Sequence, residues 1–423
     1  MKSILQFRFD LSRLGRFGGF AAALCMFALS AQASYTEEKV TASDGTANSY
    51  FGSAAALNGS TALIGADGEN SFQGAAYIFN EVSGVWSESQ KLTASDGLAG
   101  DEFGYRVALR PGAAVMTAFS ATVNGVVAQG AAYLFTKAGD NWSESQKLTA
   151  SDGGLFDNFG ASVAISSEAI AIGANGATVG QNPAQGAVYV FTRSGDTWVQ
   201  TQKLVANDGA AFDNFGLSVA MEGPIIIVGS PVAMIDGKFG QGAVYRFARI
   251  NGTWTQVQKL VADDGAASDN FGESVALNNR VAVIGAYNAA VNGHFGQGAA
   301  YIFTRSAEML VQNQKLTASD GASFVNFGNA VALYGNRALV GADVATVDGH
   351  TSQGKAYLFT ISAGSWTQAE TFVSSDGTTD DFFGAALALE PGTALIATPH
   401  PTIDGNSWQG AAYFDSNPRS DTP

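Results

Sequence analysis

The chain has 423 residues, a formal charge of −15, 46% hydrophobic residues and 51 glycines. The acidic balance excludes a nucleic-acid binder, which needs a basic surface, and the single cysteine excludes a disulfide framework, a cysteine-based zinc site and an iron–sulfur cluster. The hydrophobic fraction is enough for a sizeable core, and the glycine content predicts many tight turns.

Residues 1–33 have the pattern of a secretory signal peptide. An apolar run from Gly18 to Leu29 is too short to span a bilayer, and Ala31-Gln32-Ala33 after it has the small-x-small form that signal peptidase recognises. Four basic residues precede the run: Lys2, Arg8, Arg13 and Arg16. We expect cleavage before Ser34 and an exported protein that is periplasmic, cell-surface or extracellular. The alternative is that this segment stays uncleaved as a membrane anchor. No later apolar run is long enough to span a membrane.

Seven in-phase repeats occupy the rest of the chain. The pair Phe-Gly recurs at spacings of 52 residues once and 56 residues five times, from Phe51 to Phe383. A Gln-Gly pair followed by Tyr keeps the same phase from Gln73 to Gln409, and Gln-Lys-Leu recurs in five of the units. A fixed period of this size indicates a repeat architecture.

Each unit is predicted to form four short strands, placed in the fourth unit at residues 217–221, 225–228, 243–247 and 254–260. Residue size grows from the first strand to the fourth, which favours an all-β, seven-bladed β-propeller of four-stranded blades over a linear solenoid. The last unit lacks a fourth strand, and residues 38–44 align in sequence with residues 90–96, which include the end of the fourth strand of the first unit. We therefore predict a propeller over residues 34–414, closed by residues 36–42 pairing beside residues 409–414, with a short flexible tail at residues 415–423.

The Phe-Gly landmark is followed by Gly-Ala at residues 65–66 and by Gly-Ser-Pro at residues 229–231. In this it resembles the FG-GAP repeat, which builds the seven-bladed propeller of integrin α-subunits and of many bacterial exported proteins. The resemblance implies adhesion or protein binding. The family's calcium loop between strands one and two is not matched, because turns such as Asn58-Gly59-Ser60 cannot supply the six to eight oxygens that calcium needs.

The long loops, which join strand two to strand three and strand four to the next blade, lie on one face of the predicted disc, here called the upper face. The loops before Phe-Gly carry fifteen acidic residues, and the two-to-three loops carry six acidic residues and Lys238, so this face holds a net charge of about −20. One interpretation is that Asp initiates turns. The other is an anionic surface that recruits calcium or a basic partner, with the pairs Asp208/Asp213 and Asp264/Asp269 as candidate metal ligands.

The two-to-three loops of blades four to seven are the candidate partner-binding surface, because a central Asn-Gly or Asp-Gly predicts hairpins with variable residues after the turn. The candidates are Asp236, Lys238, Asn292, His294, Asp348, His350, His400, Asp404 and Trp408. The three histidines could hold a transition metal or could be exposed turn residues. Trp408 could stack on a sugar ring or could be a packed loop aromatic.

The first functional hypothesis is a non-enzymatic, monomeric, exported propeller that binds a protein or polysaccharide through its upper face. The alternatives are a carbohydrate-active hydrolase or lyase at the mouth of the ring and a structural envelope or biofilm component. The sequence carries no Gly-x-Ser-x-Gly or His-Glu-x-x-His motif, so no catalytic residue is predicted. A unique acid pair at the mouth would favour the enzyme.

Overall fold

The computed structural model describes residues 36–278 and 280–416 and contains seven four-stranded antiparallel sheets. Blade one comprises β2 (Phe51–Asn58), β3 (Thr61–Ala66), β4 (Ala75–Val82) and β5 (Val85–Leu92), with a four-residue helix α1 (Glu69–Phe72) between β3 and β4. Blade two comprises β6 (Phe103–Arg110), β7 (Ala113–Ala118), β8 (Ala131–Ala138) and β9 (Asn141–Leu148). Blade three comprises β10 (Phe159–Ile165), β11 (Ala169–Ala174), β12 (Ala187–Ser194) and β13 (Thr197–Leu204).

Blade four comprises β14 (Ser218–Glu222), β15 (Ile225–Ser230), β16 (Ala243–Ile250) and β17 (Thr253–Leu260). Blade five comprises β18 (Val275–Leu277), β19 (Val281–Ala286), β20 (Ala299–Ser306) and β21 (Met309–Leu316). Blade six comprises β22 (Val331–Tyr334), β23 (Arg337–Ala342), β24 (Lys355–Ser362) and β25 (Ser365–Phe372). Blade seven comprises β26 (Ala386–Glu390), β27 (Thr393–Thr398), β28 (Ala411–Ser416) and the N-terminal strand β1 (Thr36–Val40).

The core lies between neighbouring blades. Side chains of β3 and β4, such as Leu63 and Ile78, pack in one buried cluster with Phe103 and Tyr133 of blade two. The Phe103 and Tyr133 rings meet edge to face with centroids 5.5 Å apart, and both rings are fully buried. Small residues on the first strands and large aromatic residues further out fill a space that widens with distance from the axis. This arrangement confirms the predicted propeller.

Successive blades are joined by direct backbone contact at the Gln-Gly and Phe-Gly landmarks. The Phe103 N–H donates to the Gln73 carbonyl oxygen at 3.0 Å, and the same bond recurs at all seven joints with N···O distances of 2.8–3.0 Å. A Cβ on Gly74 would overlap the Phe103 carbonyl oxygen, and Gly74 has a φ of +85°. Glycine is therefore required here both for space and for backbone conformation.

The Gln-Lys-Leu landmark sits near the end of the outer strand, where each residue has a separate role. The Gln90 side chain donates to the Trp142 carbonyl oxygen at 2.7 Å and accepts from the Trp142 N–H at 2.8 Å, which ties β5 to β9 of the next blade. Lys91 forms an ion pair with Asp44 at 2.7 Å, and Leu92 is buried in the core. Three consecutive residues of the landmark thus make a hydrogen bond to the next blade, an ion pair with a loop and a contact in the core.

The N-terminal strand closes the ring, as predicted. Thr36 to Val40 pair antiparallel with Ser416 to Ala412 of β28, and the Phe51 N–H donates to the Gln409 carbonyl oxygen at the seventh joint. The Trp86 ring of blade one stacks on Phe414 with centroids 4.0 Å apart. The last strand runs to Ser416, two residues beyond the predicted boundary at residue 414, because Asp415 and Ser416 still pair with β1. The predicted signal peptide and residues 417–423 of the predicted tail lie outside the described residues.

Within residues 36–416, the structure contains no helix whose length and apolar character would let it cross a membrane.

Removing the closing strand should sharply destabilise the ring. A chain that begins at Ser43 loses the β1–β28 ladder and leaves the apolar surface around Phe414 and Trp86 exposed. We expect its melting temperature, followed by circular dichroism, to lie about 10 °C or more below that of a chain that begins at Tyr35. Equal melting temperatures for the two chains would show that β1 does not contribute to closure.

Asp415 is a buried carboxyl group at the closing seam. Six blades place a buried Phe at this position of the third strand, whereas blade seven has Asp415, whose Oδ2 is buried without a hydrogen-bond partner among the described residues. Burial, together with the charges of Glu37 and Glu370, raises the pKa of Asp415 to about 7. Because the folded pKa lies above the ordinary value of 3.8, this group favours the folded state below pH 4, and that contribution is lost as the pH rises through 7.

Asp415→Asn should therefore flatten the pH dependence of stability. We expect melting temperatures close to wild type at pH 5 and roughly 2–4 °C above wild type at pH 8, because the variant has no carboxylate to ionise in the buried seam. Thermal melts across pH 4–9 measure this. Asp348→Asn, at an exposed turn, is the control and should follow the wild-type profile. A parallel shift of the Asp415→Asn profile at every pH would contradict the ionisation mechanism.

Candidate functional site

The two-to-three loops form tight hairpins in six blades, whereas hairpins were predicted for blades four to seven alone. Isolated antiparallel bridges close them at Val123–Val126, Val179–Asn182, Ile235–Lys238, Val291–His294, Val347–His350 and Ile403–Asn406. In blade four the turn residues Asp236 and Gly237 have φ values of 50° and 80°, as a type I′ turn requires. Blade one has α1 in place of the hairpin.

The structure places seven of the predicted partner-binding residues on or beside these turns. Asp236, Lys238, Asn292, His294, Asp348, His350 and Asp404 are all exposed. Lys238 reaches the loop of the next blade, where its Nζ donates to the Gly265 carbonyl oxygen at 2.7 Å. His400 and Trp408 flank the hairpin of the blade-seven loop and belong to the aromatic cluster described below. Whether the seven exposed residues contact a partner stays a prediction.

Each repeated Asp of the loop before Phe-Gly is held by a Lys of the blade that follows. Lys315 Nζ lies 2.7 Å from Asp264, and Tyr301 Oη donates to the same carboxylate at 2.9 Å. Burial opposes ionisation of Asp264, but these bonds outweigh it, so its pKa lies below the ordinary value. The seven ion pairs, all at 2.6–2.7 Å, are Lys39–Asp376, Lys91–Asp44, Lys147–Asp96, Lys203–Asp152, Lys259–Asp208, Lys315–Asp264 and Lys355–Asp320.

The second Asp of each candidate metal pair caps its own turn. Asp213 accepts from the Ala210 N–H at 2.7 Å and Asp269 from the Ala266 N–H at 2.8 Å, while burial raises the pKa of both carboxyls. The seven lysines reduce the net charge of the upper face from about −20 to about −13. Among the described residues, no three His, Cys, Asp or Glu side chains converge as metal ligands would. Calcium and transition-metal binding stay predictions, and a calcium titration separates them from the turn-forming role.

If the carboxylates act through their lysines and turns, calcium should not affect stability. We expect the melting temperature of the wild type to be the same in millimolar calcium and in chelator. Replacing Asp208, Asp213, Asp264 and Asp269 together with Asn should lower it equally in both, because ion pairs and turn caps are lost. A rise with calcium that the fourfold variant loses would instead establish cation binding.

Blades seven, one and two depart from the repeat at two positions with left-handed backbone. The residue before Phe-Gly has a φ of 52–61° in every blade, and it is Asn in blades three to six but Phe382, Tyr50 and Glu102 in blades seven, one and two. The residue before Gln-Gly also has positive φ; it is Ala, Gly or Ser in blades two to six, but Trp408 and Phe72 in blades seven and one. Bulky side chains are strained in this conformation, and such strain concentrates at functional sites.

These bulky residues form one aromatic group, here called the mouth cluster: Tyr50, Phe72, Phe382, His400 and Trp408. His400 lies at its centre, with ring centroids 4.7 Å from Phe382, 5.4 Å from Tyr50 and 5.7 Å from Trp408. Tyr50 also stacks on Trp408 at 6.2 Å and contacts Phe72 at 5.9 Å. Trp408 is 47% exposed and Phe72 is 41% exposed, so the cluster presents aromatic surface to solvent.

A cavity of about 380 Å³ opens beside the mouth cluster, between blades seven, one and two. Its lining residues are Tyr50, Ser53, Asp67, Phe72, Tyr105, Arg106, Pro399 and His400. The Arg106 guanidinium lies 4.1 Å from the centroid of the Tyr105 ring, which in turn stacks on Phe119 at 3.9 Å. Ser53, Tyr105 and Arg106 also line the central channel, so the cavity leads into the axis of the ring.

Polar groups in this cavity are poorly solvated. Asp67 Oδ1 is buried and has no hydrogen-bond partner among the described residues. Burial raises the pKa of Asp67, and the Ser53 hydroxyl and Arg106 guanidinium offset only part of that rise. Burial also lowers the pKa of His400, which favours a neutral imidazole near pH 7. The residues that line the cavity therefore include one carboxyl and one guanidinium beside neutral rings, with the Glu102 carboxyl near Asp67 and the Glu273 carboxyl near Arg106.

The sequence-based prediction identified His400 and Trp408 and placed them in the two-to-three loop of blade seven, but it did not predict their contacts with Tyr50 and Phe382. It did not identify Tyr50, Asp67, Tyr105 or Arg106. A signal for Tyr50 was present, since three units replace the Asn before Phe-Gly. Arg106 also stands where the other units have Ala or Ser. Only the folded ring brings these departures together, because blade seven lies next to blade one.

Comparison with known proteins supports the same repeat units. The family model described as "FG-GAP repeat" matches seven segments: residues 35–79, 86–135, 142–191, 198–247, 254–303, 310–359 and 366–414. A search of curated proteins returned no match. Each matched segment ends within the third strand of a blade, and together the segments cover most of the chain. The chain therefore belongs to the FG-GAP repeat family, in the form of an integrin α-like seven-bladed propeller.

Proposed function

We propose that this protein is an exported, non-enzymatic interaction module that binds an extracellular or envelope partner through the upper face, with the mouth cluster as the principal contact. The observation that carries the proposal is that four bulky residues held in left-handed backbone, Tyr50, Phe72, Phe382 and Trp408, meet in one cluster, whereas the left-handed Phe156, Phe212 and Phe324 lie in the loops of separate blades. Packing alone does not require aromatic residues there, because the other blades use Asn, Glu, Ala, Gly or Ser at the same positions. Exposed aromatic surface is a frequent binding anchor.

The family and the charge of the upper face support this assignment. FG-GAP propellers commonly serve in protein interaction outside the cell, and the N-terminal leader pattern agrees with export. The residual charge of about −13 would steer a partner with basic groups toward this face. The hairpin residues Asp236, Lys238, Asn292, His294 and Asp348 would form the outer part of the contact.

A carbohydrate-active enzyme is the second candidate, because the acids Asp67 and Glu102, which most other units lack at these positions, lie near each other at the mouth. Burial raises the pKa of Glu102, and the nearby charge of Asp67 raises it further. Paired carboxyl groups of this kind can act as acid and base on a glycosidic bond. Release of reducing ends or unsaturated products from polysaccharides, lost on Glu102→Gln, would establish the enzyme in place of the binding module.

Restoring the repeat residues should separate binding from stability. We expect Tyr50→Asn and Trp408→Gly, which copy blades three to six and blades four and five, to leave the melting temperature unchanged or higher, because strain is relieved. The same variants should reduce binding about tenfold or more on arrays of extracellular proteins and purified polysaccharides. Arrays probed with and without calcium also report any cation requirement.

Two controls define the face and the strain. Tyr334→Asn removes an aromatic residue that is 42% exposed on the opposite face, and binding should be unaffected. Asn214→Tyr places a bulky residue at the same left-handed position in blade four and should lower stability by about 1 kcal/mol. Binding that survives both mouth variants but is lost in Tyr334→Asn would place the contact on the wrong face for this proposal.

A further inference from the structure

We infer that the cavity beside the mouth cluster binds one glycosyl unit of a neutral glycan. This inference rests on the proposed function and gives its upper-face site a ligand class. The ring of the sugar would lie against the Tyr50 and His400 side, and its hydroxyl groups would bond to Asp67 and Arg106. Three features of the cavity carry the inference: its aromatic walls, its unsatisfied polar atoms and its balance of charge.

The walls suit a ligand with flat apolar faces and polar edges. Tyr50, Phe72 and His400 supply the aromatic lining of the cavity, whereas on the Tyr105 side the Arg106 guanidinium covers one face of the ring. Tyr105 is fixed by its stack on Phe119 at 3.9 Å, so this side is preorganised. The C–H faces of a pyranose pack on aromatic rings, while its hydroxyls lie around the rim of the ring. A volume of about 380 Å³ admits a ligand of this size.

The polar atoms need a partner that both donates and accepts hydrogen bonds. Asp67 Oδ1 is a buried acceptor with no hydrogen-bond partner among the described residues, so a donor from a ligand would satisfy it. Arg106 uses one of its five N–H groups on the Tyr105 carbonyl oxygen at 2.8 Å and makes no ion pair within the described residues. A sugar hydroxyl can donate to Asp67 and a neighbouring sugar oxygen can accept from Arg106.

The charge balance favours a neutral ligand over a cationic side chain. A Lys or Arg of a partner would stack on the same rings, but it would lie beside the Arg106 guanidinium in a poorly solvated cavity. Burial also raises the pKa of Asp67, which makes its carboxyl group a weaker counter-ion for a cation. A hydroxyl group bonds to either protonation state of Asp67. Phe72 is an exposed part of the cavity lining, and the exposed Trp408 stacks on Tyr50 beside it, so the next sugar of a chain would meet aromatic surface there.

The test is a glycan array followed by titration calorimetry with the smallest bound saccharide. The array holds neutral, acidic and amino glycans, and Arg- and Lys-containing peptides are printed beside them. We expect binding to a neutral glycan. Asp67→Asn and Arg106→Met should each raise Kd about tenfold or more, and Tyr50→Asn about three- to tenfold. Melting temperatures establish whether each variant is folded. If one of the three variants does not fold, the other two still test the inference.

Asp343→Asn is the matched control. Asp343 occupies the equivalent position in blade six, its Oδ1 is likewise buried without a partner among the described residues, and it does not line the cavity. Its replacement should leave Kd within about twofold. The inference is overturned if no glycan binds, if glycan binding survives Asp67→Asn and Arg106→Met, or if the cationic peptides bind in the cavity instead.

These outcomes separate the inference from the proposed function. A protein partner that binds without any glycan, and is lost on Trp408→Gly, would overturn the glycosyl site and leave the upper-face module standing. Glycan binding lost only on Tyr334→Asn would overturn both, because the opposite face would then hold the ligand. Glycan binding lost on Asp67→Asn but unaffected by Asp343→Asn supports both.

Discussion

The ring depends on one constraint, the backbone contact between the Gln-Gly pair of each blade and the Phe-Gly pair of the next blade. Because the Phe N–H of one blade bonds to the Gln carbonyl of the previous blade, the blades approach to a distance that only glycine allows. The same bridge extends one residue further, since the Tyr50 N–H donates to the Trp408 carbonyl oxygen at 3.1 Å. Both residues of that outer pair are forced into left-handed backbone whatever their side chains.

This constraint explains how strained aromatic residues persist. Seven joints fix the backbone from both sides, so a bulky residue at position 50 or 408 cannot relax the strain by moving the chain. Repeated side-chain contacts throughout the ring supply the stability. Asp264 bonds to Tyr301 and Lys315 in blade five, and Gln90 bonds to the outer strand of the next blade. A rigid ring can thus tolerate a costly site in one sector while blades three to six keep the repeated residues at these positions.

Much of the fold could be predicted because the landmarks repeat. Seven Phe-Gly pairs indicated the number of blades, and the alignment of residues 38–44 with residues 90–96 indicated closure by residues 36–42, of which residues 36–40 form the strand. The ion pairs were not predicted, since Lys315 and Asp264 are far apart in sequence and were assigned to different parts of the disc. In blade six the lysine of the ion pair comes from a different strand. Glu370-Thr371-Phe372 stands in place of Gln-Lys-Leu, and Lys355 of the third strand pairs with Asp320 instead.

The position of the closing strand has a consequence for how the chain reaches its final state. Thr36 pairs with Ser416, about 380 residues later, so the first strand of the propeller must wait for the last one to emerge. Until β1 pairs with it, β28 presents an open hydrogen-bonding edge, which either the N-terminal strand of the same chain or that of a second molecule can satisfy. Ring completion is therefore a competition between an intramolecular and an intermolecular encounter. Refolding at high protein concentration favours exchanged dimers, in which each chain completes the last blade of the other.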